Sequence, residues 1–521
     1  MRTTTRRALA VFAAAGLFAV AGSANAAKKT TAKKITAKKK VTTTKVAPTV
    51  ATTSAPATTA GPATTAAPTT AAKPAENTAS DVGVTKDTIR IVALAADLGG
   101  LVRAGFIKGV YEDAPVRLIK RFSYYADKWN AAGGINGRKV VTTLVTWNPV
   151  DPRSFDAACQ KITLDIKPFM VVNVGGGYPA DSFPCIAGDG DTITYANDAA
   201  SAGVFRASKG NLFTAAPPAE ISAAASAQAA IAGDYIPKGS RIGFLRPNTQ
   251  VGADAYEAAR KVLDAAGYKI VFSDAIQTLG LDTATQNQNV RLAVPKMQDA
   301  GVTQVVNMLA FTAFNAFPDE AKKSGFNPRY TQFEIGPGQC TAFSATQGSP
   351  TLDGATCATA FDNFRMDTSS VIAKDTPFEA QCRKDTEEFT GLKTTPGIPF
   401  GSATLKDVDG NSFQDDQQYL ECGWAYQAKA ALDKAGANLT KKTFKDALYS
   451  AGEHPVAGFS NGKGLFAADK PFEATAIHYV VFTAGDPKAS KLNGLYGRCL
   501  VNSNCYRTLP SAWVPITDRV K

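Results

Sequence analysis

Asn130-Ala131-Ala132-Gly133-Gly134-Ile135-Asn136-Gly137-Arg138-Lys139-Val140 decides the architecture. The stretch closes a helix, turns on glycine and opens a strand. Before it, Phe122, Tyr125 and Trp129 stand at i, i+3 and i+7, an apolar stripe of helical period that predicts a helix over Leu118 to Asn130. Gly133 and Gly134 supply the left-handed conformation that ends such a helix. Asn136-Gly137 makes a tight turn, and Lys139 to Val145 leaves it as a β-branched run. Upstream, Gly83 to Ile91 feeds an earlier strand.

Moving outward, the same alternation recurs. Strands are expected at Ile89 to Ala93, Val140 to Val145, Phe169 to Val174 and Thr192 to Tyr195, with helices at Asp156 to Ile166 and Ser182 to Ile186. A second series begins near Asn211. It places helices at Ala219 to Ile231, Ala253 to Ala266, Arg291 to Ala300 and Ala313 to Ser324, the last three closed by Gly267, Gly301 and Gly325. Strands fall between them at Arg241 to Leu245, Lys269 to Phe272 and Gln304 to Leu309. Repeated strand–helix–strand units with short connections predict parallel sheets covered on both faces, and two series predict two sheets. Gly105 to Arg117 reads as an inserted loop, and Gly336 to Thr404 as irregular and cysteine-rich. Helices return at Asp415 to Ala435 and Lys441 to Ser450, followed by a β-rich part from Gly464 to Thr483.

This order, with Asn-Ala-Ala-Gly-Gly-Ile-Asn-Gly between helix and strand, resembles the opening of the type I periplasmic solute-binding proteins, the leucine/branched-chain-amino-acid-binding group. Tyr426 to Gly436, Thr443 to Leu448 and Gly458 to Phe466 are similar to that family's ending. The resemblance covers most of residues 83–335 and parts of 412–485. It implies an α/β fold of two Rossmann-like parallel-sheet lobes joined by hinge crossovers, with a small solute held in the cleft between them. The implied partner is the membrane permease of an ABC-type importer, and no cofactor or metal is expected. The expected layout is lobe 1 over 83–208, lobe 2 over 209–336, a return to lobe 1 with insertions over 337–455, and a C-terminal β-rich segment completing lobe 2 over 456–521. A ligand sensor, or a surface scaffold without transport, would use the same fold.

Residues 1–26 read as a secretory signal peptide. Arg2, Arg6 and Arg7 precede an apolar run from Ala8 to Gly22, too short to span a bilayer, and Ala24-Asn25-Ala26 is a small-x-small cleavage site. The chain is therefore expected outside the cytoplasm. Residues 27–82 form a Lys/Thr/Ala/Pro-rich linker that buries too little apolar surface to fold. Its lysines could rest on an anionic cell envelope or simply be solvated. Residues 1–80 hold 12 of the 57 Lys and Arg but one of the 45 acids, so nearly all of the net charge of +12 lies there. Nucleic-acid binding by the body thus lacks electrostatic support. Eight cysteines, all in the body, argue for disulfides. Sequential pairing closes the shortest loops: Cys159–Cys185, Cys340–Cys357, Cys382–Cys422 and Cys499–Cys505. The first is favoured because both partners lie on helices following neighbouring strands.

Candidate ligand contacts lie where strands end, the place where open α/β sheets bind ligands. Gly176, Gly177 and Tyr178 form a turn after the strand ending at Val174. Glycines admit a ligand to the backbone, and the following helix N-terminus offers free N–H groups to an anion. The resemblance implies a carboxylate there; the family's Ser is replaced, which argues against an ordinary amino-acid ligand. A purely structural turn remains open. The G-x-G-x-x-A spacing with Asp198 about 20 residues on matches a dinucleotide site, but Pro179 and the later strand argue against it. Tyr195, Asn197 and Asp198 form the second turn, alternatively an Asx turn or cap. Gln250, after Leu245 to Thr249, is the third candidate. Phe311 stands where the family presents an aromatic, with core packing as the alternative. Glu334 could neutralise a ligand ammonium or be structural. An enzyme is not expected. Gly458-Phe459-Ser460-Asn461-Gly462 matches G-x-S-x-G with Asp469 and His478 following, but it lacks the strand–turn–helix context of a nucleophile elbow. Asp407-Val408-Asp409-Gly410-Asn411 reads as a solvated acidic turn rather than a calcium loop.

Overall fold

The computed structural model describes residues 76–97, 114–148, 151, 153–173, 180–196, 200–277, 283–309, 314, 316–336, 340, 350–361, 374–390, 418–484, 505–509 and 513–520. Helix α1 (Ala114–Ala131) buries Phe122, Tyr125 and Trp129, as the stripe predicts. The Gly134 N–H bonds the Trp129 carbonyl at 2.8 Å. A Cβ on Gly134 would lie 2.2 Å from the Arg138 oxygen, so a side chain has no room there. Asn136 and Gly137 both take positive φ, 49° and 79°, between the bridged pair Ile135 and Arg138. That is the geometry Asn-Gly favours in a two-residue turn. Asn130 then ties helix to strand: its amide donates to the Val140 carbonyl at 2.9 Å and accepts the Val140 N–H at 2.8 Å.

Strands β1 (Thr88–Ala96) and β2 (Lys139–Trp147) pair in parallel along their whole length. With β3 (Met170–Asn173), β4 (Ile193–Ala196) and β5 (Leu212–Thr214) they form a parallel sheet in the order β2-β1-β3-β4-β5. β1, β3 and β4 are buried almost throughout, because helices cover both faces. On this side lie α2 (Arg153–Gln160), continuing as a wider turn to Ile166, and α3 (Ala202–Ala207).

The chain then enters α4 (Ala219–Ala232), whose small side chains are buried nearly all round. The second sheet contains β6 (Arg241–Pro247), β7 (Lys269–Ile276), β8 (Gln304–Asn307), β9 (Arg329–Phe333), β10 (Thr356–Thr359), β13 (Ala476–Thr483) and β14 (Cys505–Thr508). Its order is β14-β13-β10-β9-β8-β6-β7; β13 and β14 are antiparallel to their neighbours and the rest are parallel. The short β15 (Val514–Pro515) pairs with β13. Between these strands run α5 (Gln250–Ala265), α6 (Thr283–Arg291), α7 (Ala293–Asp299) and α8 (Ala316–Lys323).

After β10 the chain supplies α9 (Pro377–Thr390), α10 (Gln418–Ala435) and α11 (Lys441–Tyr449) to the first lobe. Lys128 of α1 pairs with Asp385 of α9 at 2.7 Å. Trp424 of α10 stacks on Tyr195 of β4, ring centres 4.3 Å apart. Arg138, fully buried, donates to the carbonyls of Thr78, Thr85, Gly436 and Ala437, so the opening turn is fastened to the end of α10. A two-stranded ribbon of β11 (His454–Pro455) and β12 (Lys463–Gly464) follows.

Five expectations change. Residues 76–82, expected in the unfolded linker, are tied to the body, with the Ser80 hydroxyl donating to the Leu439 carbonyl and the Thr78 carbonyl accepting from Arg138. β5 lies in the first sheet, so the first lobe runs past residue 208 to Thr214. Residues 114–117 belong to α1, not to an inserted loop. The helix expected from Arg291 to Ala300 is found as α7, with Pro295 in its first turn, where a missing N–H costs little; a separate helix, α6, which was not expected, precedes it across Leu292. β10 lies in the second sheet, so the return to the first comes after residue 359. Cys159–Cys185, Cys340–Cys357 and Cys382–Cys422 are bonded, with Cα atoms 6.3, 6.1 and 5.8 Å apart. The expected partner of Cys505, Cys499, lies outside the described residues.

Candidate ligand cleft

Three crossovers fix how the sheets face. The first leaves the carboxyl end of β5 through residues 215–218 into α4. The second leaves the carboxyl end of β10 at Ala360-Phe361. The third comes from the first lobe: Phe472 bridges Thr214 in parallel, Glu473 N–H bonds Thr214 O at 2.8 Å, and Ala474 N–H bonds Ala215 O at 2.9 Å. It then enters β13, whose His478 stands opposite Thr359 at the end of β10. All three therefore join the carboxyl ends of the two parallel sheets. Those ends face each other across the hinge, where such sheets present ligand-binding turns.

The turns are shaped by caps. After β6, Thr249 caps α5 by accepting the Gly252 N–H at 3.1 Å, and a Cβ on Gly252 would meet Pro247 O at 2.4 Å. After β8, Asn307 clamps Leu309 from both sides, accepting its N–H at 2.9 Å and donating to its carbonyl at 3.2 Å, while Gln332 donates to the same carbonyl at 3.3 Å. Near the first crossover, Ser201 caps α3 and Ala219 N–H bonds Ala200 O at 3.2 Å. There the Glu220 carboxylate receives the Ala202 N–H at 3.2 Å. Burial pushes the Glu220 carboxyl up, against the lowering effect of its backbone hydrogen bonds.

Behind the hinge lies a buried charged group. His454 Nε2 meets the Glu473 carboxylate at 2.8 Å, and the imidazole stacks on Phe466. Burial alone would depress its pKa, but the Glu473 hydrogen bond and charge raise it overall. Lys470, also buried, donates to the carbonyls of Leu465 and Phe472 at 2.9 and 2.6 Å, and burial lowers its ammonium to about 7. Among the described residues no group of three His, Cys, Asp or Glu could hold a metal ion, and no helix is long and apolar enough to cross a membrane.

No family model matches the sequence, and no curated protein matches it. Solved structures do. A fatty acid ABC transporter substrate-binding protein from Thermomonospora curvata superimposes with a TM-score of 0.54 at 15% identity, covering 84% of this chain and 95% of the other. A solute-binding protein of an ABC transporter from Rhodopseudomonas palustris HaA2, in complex with p-hydroxybenzoic acid, gives 0.54 at 13% identity over 82% and 98%. A periplasmic binding protein type 1 from Bordetella pertussis Tohama I gives 0.53 at 15% identity over 77% and 98%. The fold is that of the type I periplasmic solute-binding proteins.

Within this type I binding fold, the sequence candidates fare unevenly. Gly176, Gly177, Tyr178, Asn197, Asp198 and Phe311 lie outside the described residues. The Tyr195 side chain points into the core against Trp424, and burial drives its hydroxyl pKa well up, so it is not a cleft-facing side chain. Gln250 begins α5, is exposed, and donates to Asp254 at 2.7 Å on the helix surface. Glu334 is buried just after β9; its carboxylate accepts the Cys340 N–H at 3.3 Å and its own carbonyl accepts the Ser222 hydroxyl. Ser460 Oγ is engaged by Thr475 and Ala476 backbone, His478 Nε2 by Phe361 O, and Asp469 faces Arg519 at 3.9 Å. Glu220 and Thr249, which shape the turns at the strand ends, were not among the sequence candidates. The acid in the first turn after Pro217-Pro218, and the Thr before Gln250, are the cap signals that mark them.

Proposed function

We propose that this chain is an extracytoplasmic solute-binding protein. It captures a small polar solute, such as an amino acid or amide, between its lobes and hands it to the permease of an ABC-type importer. No reaction is catalysed. The observation carrying this reading is the set of three crossovers at the facing carboxyl ends of two parallel sheets, which lets the lobes close on a solute by hinge motion. Type I structures similar to this one include a fatty acid ABC transporter substrate-binding protein, a solute-binding protein in complex with p-hydroxybenzoic acid and, from Desulfitobacterium hafniense, a substrate-binding protein in complex with Leu. That range supports a small solute without choosing among chemistries. An oxidising compartment agrees with three disulfides in the body and with a basic, apolar leader. The Lys-rich segment of residues 28–45 would hold the body near an anionic envelope.

The test is a thermal-shift screen of the full-length chain against amino acids, amides, hydroxybenzoates and fatty acids. Binding to the native state alone raises its stability by about 2.7 kcal/mol at a hundredfold excess over Kd. One chemical class should therefore move the transition by several degrees. A flat response across the library, with native mass spectrometry finding no retained small molecule, would remove the solute-capture reading.

A further inference from the structure

The G-x-S-x-G segment, Gly458 to Gly462, lies against two of the crossovers. Ser460 and Asn461 hold positive φ, 50° and 54°, inside a run flanked by Gly458 (74°) and Gly462 (76°). Serine rarely takes this conformation, and such outliers persist where surrounding contacts over-determine them. The contacts here are with the crossovers. Ser460 N–H donates to Ala360 O at 2.7 Å, and Phe459 bridges Phe361, both on the second crossover. The Ser460 hydroxyl accepts the Thr475 N–H at 3.0 Å and donates to the Ala476 carbonyl at 3.3 Å, both on the third. The third crossover in turn is paired with the first through Thr214 and Ala215. On the other side, Gly458 N–H donates to the Glu379 carboxylate in the first turn of α9 at 3.1 Å. Ser460 is fully buried.

We infer that Ser460 is a positioning residue that locks the second and third crossovers together and thereby sets the balance between open and closed arrangements of the lobes. A hinge of separate strands can flex strand by strand. With one hydroxyl bonded to the backbone of the third crossover and one N–H to the second, the strands turn as a unit, and fewer intermediate arrangements are populated. The inference rests on the solute-capture reading for its purpose, but not for its measurement.

Ser460→Gly tests it, because glycine keeps the positive φ and the N–H bonded to Ala360 and removes the CH2OH group that bonds the third crossover. Spin labels at Leu164→Cys in the first lobe and Leu292→Cys in the second, 64% and 54% exposed, report the inter-lobe distance in the full-length chain. No free cysteine among the described residues competes for the label. Ser460→Gly should broaden or shift the distance distribution, changing the ratio of its populations by about tenfold, while the circular dichroism stays that of the parent. A distribution superimposable on the parent's overturns the inference and leaves solute capture standing. A shifted distribution with no solute found in the thermal screen does the reverse. In the unmodified protein, the amides of Gly458, Ser460 and Thr475 should exchange with a common opening rate. If the Thr475 amide opens about tenfold or more faster than that of Ser460, the three do not act as one unit and the inference fails, whether or not the variant folds.

Discussion

Arg138 shows how much of this molecule turns on single buried groups. Its guanidinium satisfies four backbone carbonyls drawn from the N-terminal strap, the first strand's approach and the end of α10. Removing the donor leaves those acceptors buried without it, and each such loss costs about 1–3 kcal/mol. Arg138→Met should therefore lower the unfolding free energy by about 3 kcal/mol or more in urea titration; a change under about 1 kcal/mol would show that water replaces the guanidinium freely. Lys470 makes a pH prediction. Its folded value, about 7, lies below the ordinary 10.5, so between about pH 7 and 10.5 the unfolded chain binds more protons than the native one. Stability should rise with pH across that window through this group. His454, raised, works the other way: its contribution is complete below the ordinary 6.5 and lost as pH climbs through its folded value. Comparing urea midpoints from pH 7 to 9.5 in the parent and in Lys470→Met separates the two. The variant should be the more stable near pH 7 and lose the upward slope. Parallel profiles would mean that Lys470 keeps its proton in the fold.

At the scale of elements, the disulfide between Cys382 and Cys422 joins α9 to α10 across a sequence separation of 40 residues. Closing a loop of that length restrains the unfolded chain by about 4 kcal/mol in the chain-entropy view. Replacing both cysteines by alanine should lower stability by about 2–4 kcal/mol and speed amide exchange in α9 more than in α5. Equal protection in the two helices would place the stability of α9 elsewhere, in Lys128–Asp385 and the buried Arg383–Asp375 pair. The β1–α1–β2 unit was legible because local and tertiary demands coincide there: Asn-Gly wants the turn it makes, and Gly134 sits where a Cβ would strike Arg138. Helix α9 was not foreseen, although Thr376-Pro377-Phe378-Glu379 carries a cap, a first-turn proline and a reciprocal glutamate. Its cysteine-rich neighbourhood concealed a weak apolar period. The strand ends were legible as places where ligands bind, since topology alone puts them there. The direction of each side chain was not: Tyr195 and Glu334 stand at those ends yet are buried, Tyr195 stacked on Trp424 from far along the chain and the Glu334 carboxylate taken up by the nearby Cys340 N–H.

For the whole molecule, the hydrophobic core argues that the lobes are one folded body with a bending zone rather than two beads on a string. One cluster runs from Val84 in the first lobe through Ala215 and Ala474 at the crossovers to Phe244 and Tyr479 in the second. A second cluster, with Leu245, Val305, Phe317 and Cys357, is confined to the second lobe. Separating the lobes would expose the shared cluster, so any opening is expected to be a rotation about the crossovers. The first and third lie side by side, residues 214–215 against 473–474, and Ser460 bonds both the third and the second, at Thr475 and Ala360. Solute binding should therefore shrink the particle by closing the lobes and leave the sheets unchanged. Small-angle scattering with a solute found by the thermal screen should show a smaller radius of gyration while the far-ultraviolet circular dichroism is constant. An unchanged radius at saturating solute would mean that the lobes are already closed before binding, and the affinity would then have to come from a preformed site rather than from hinge closure.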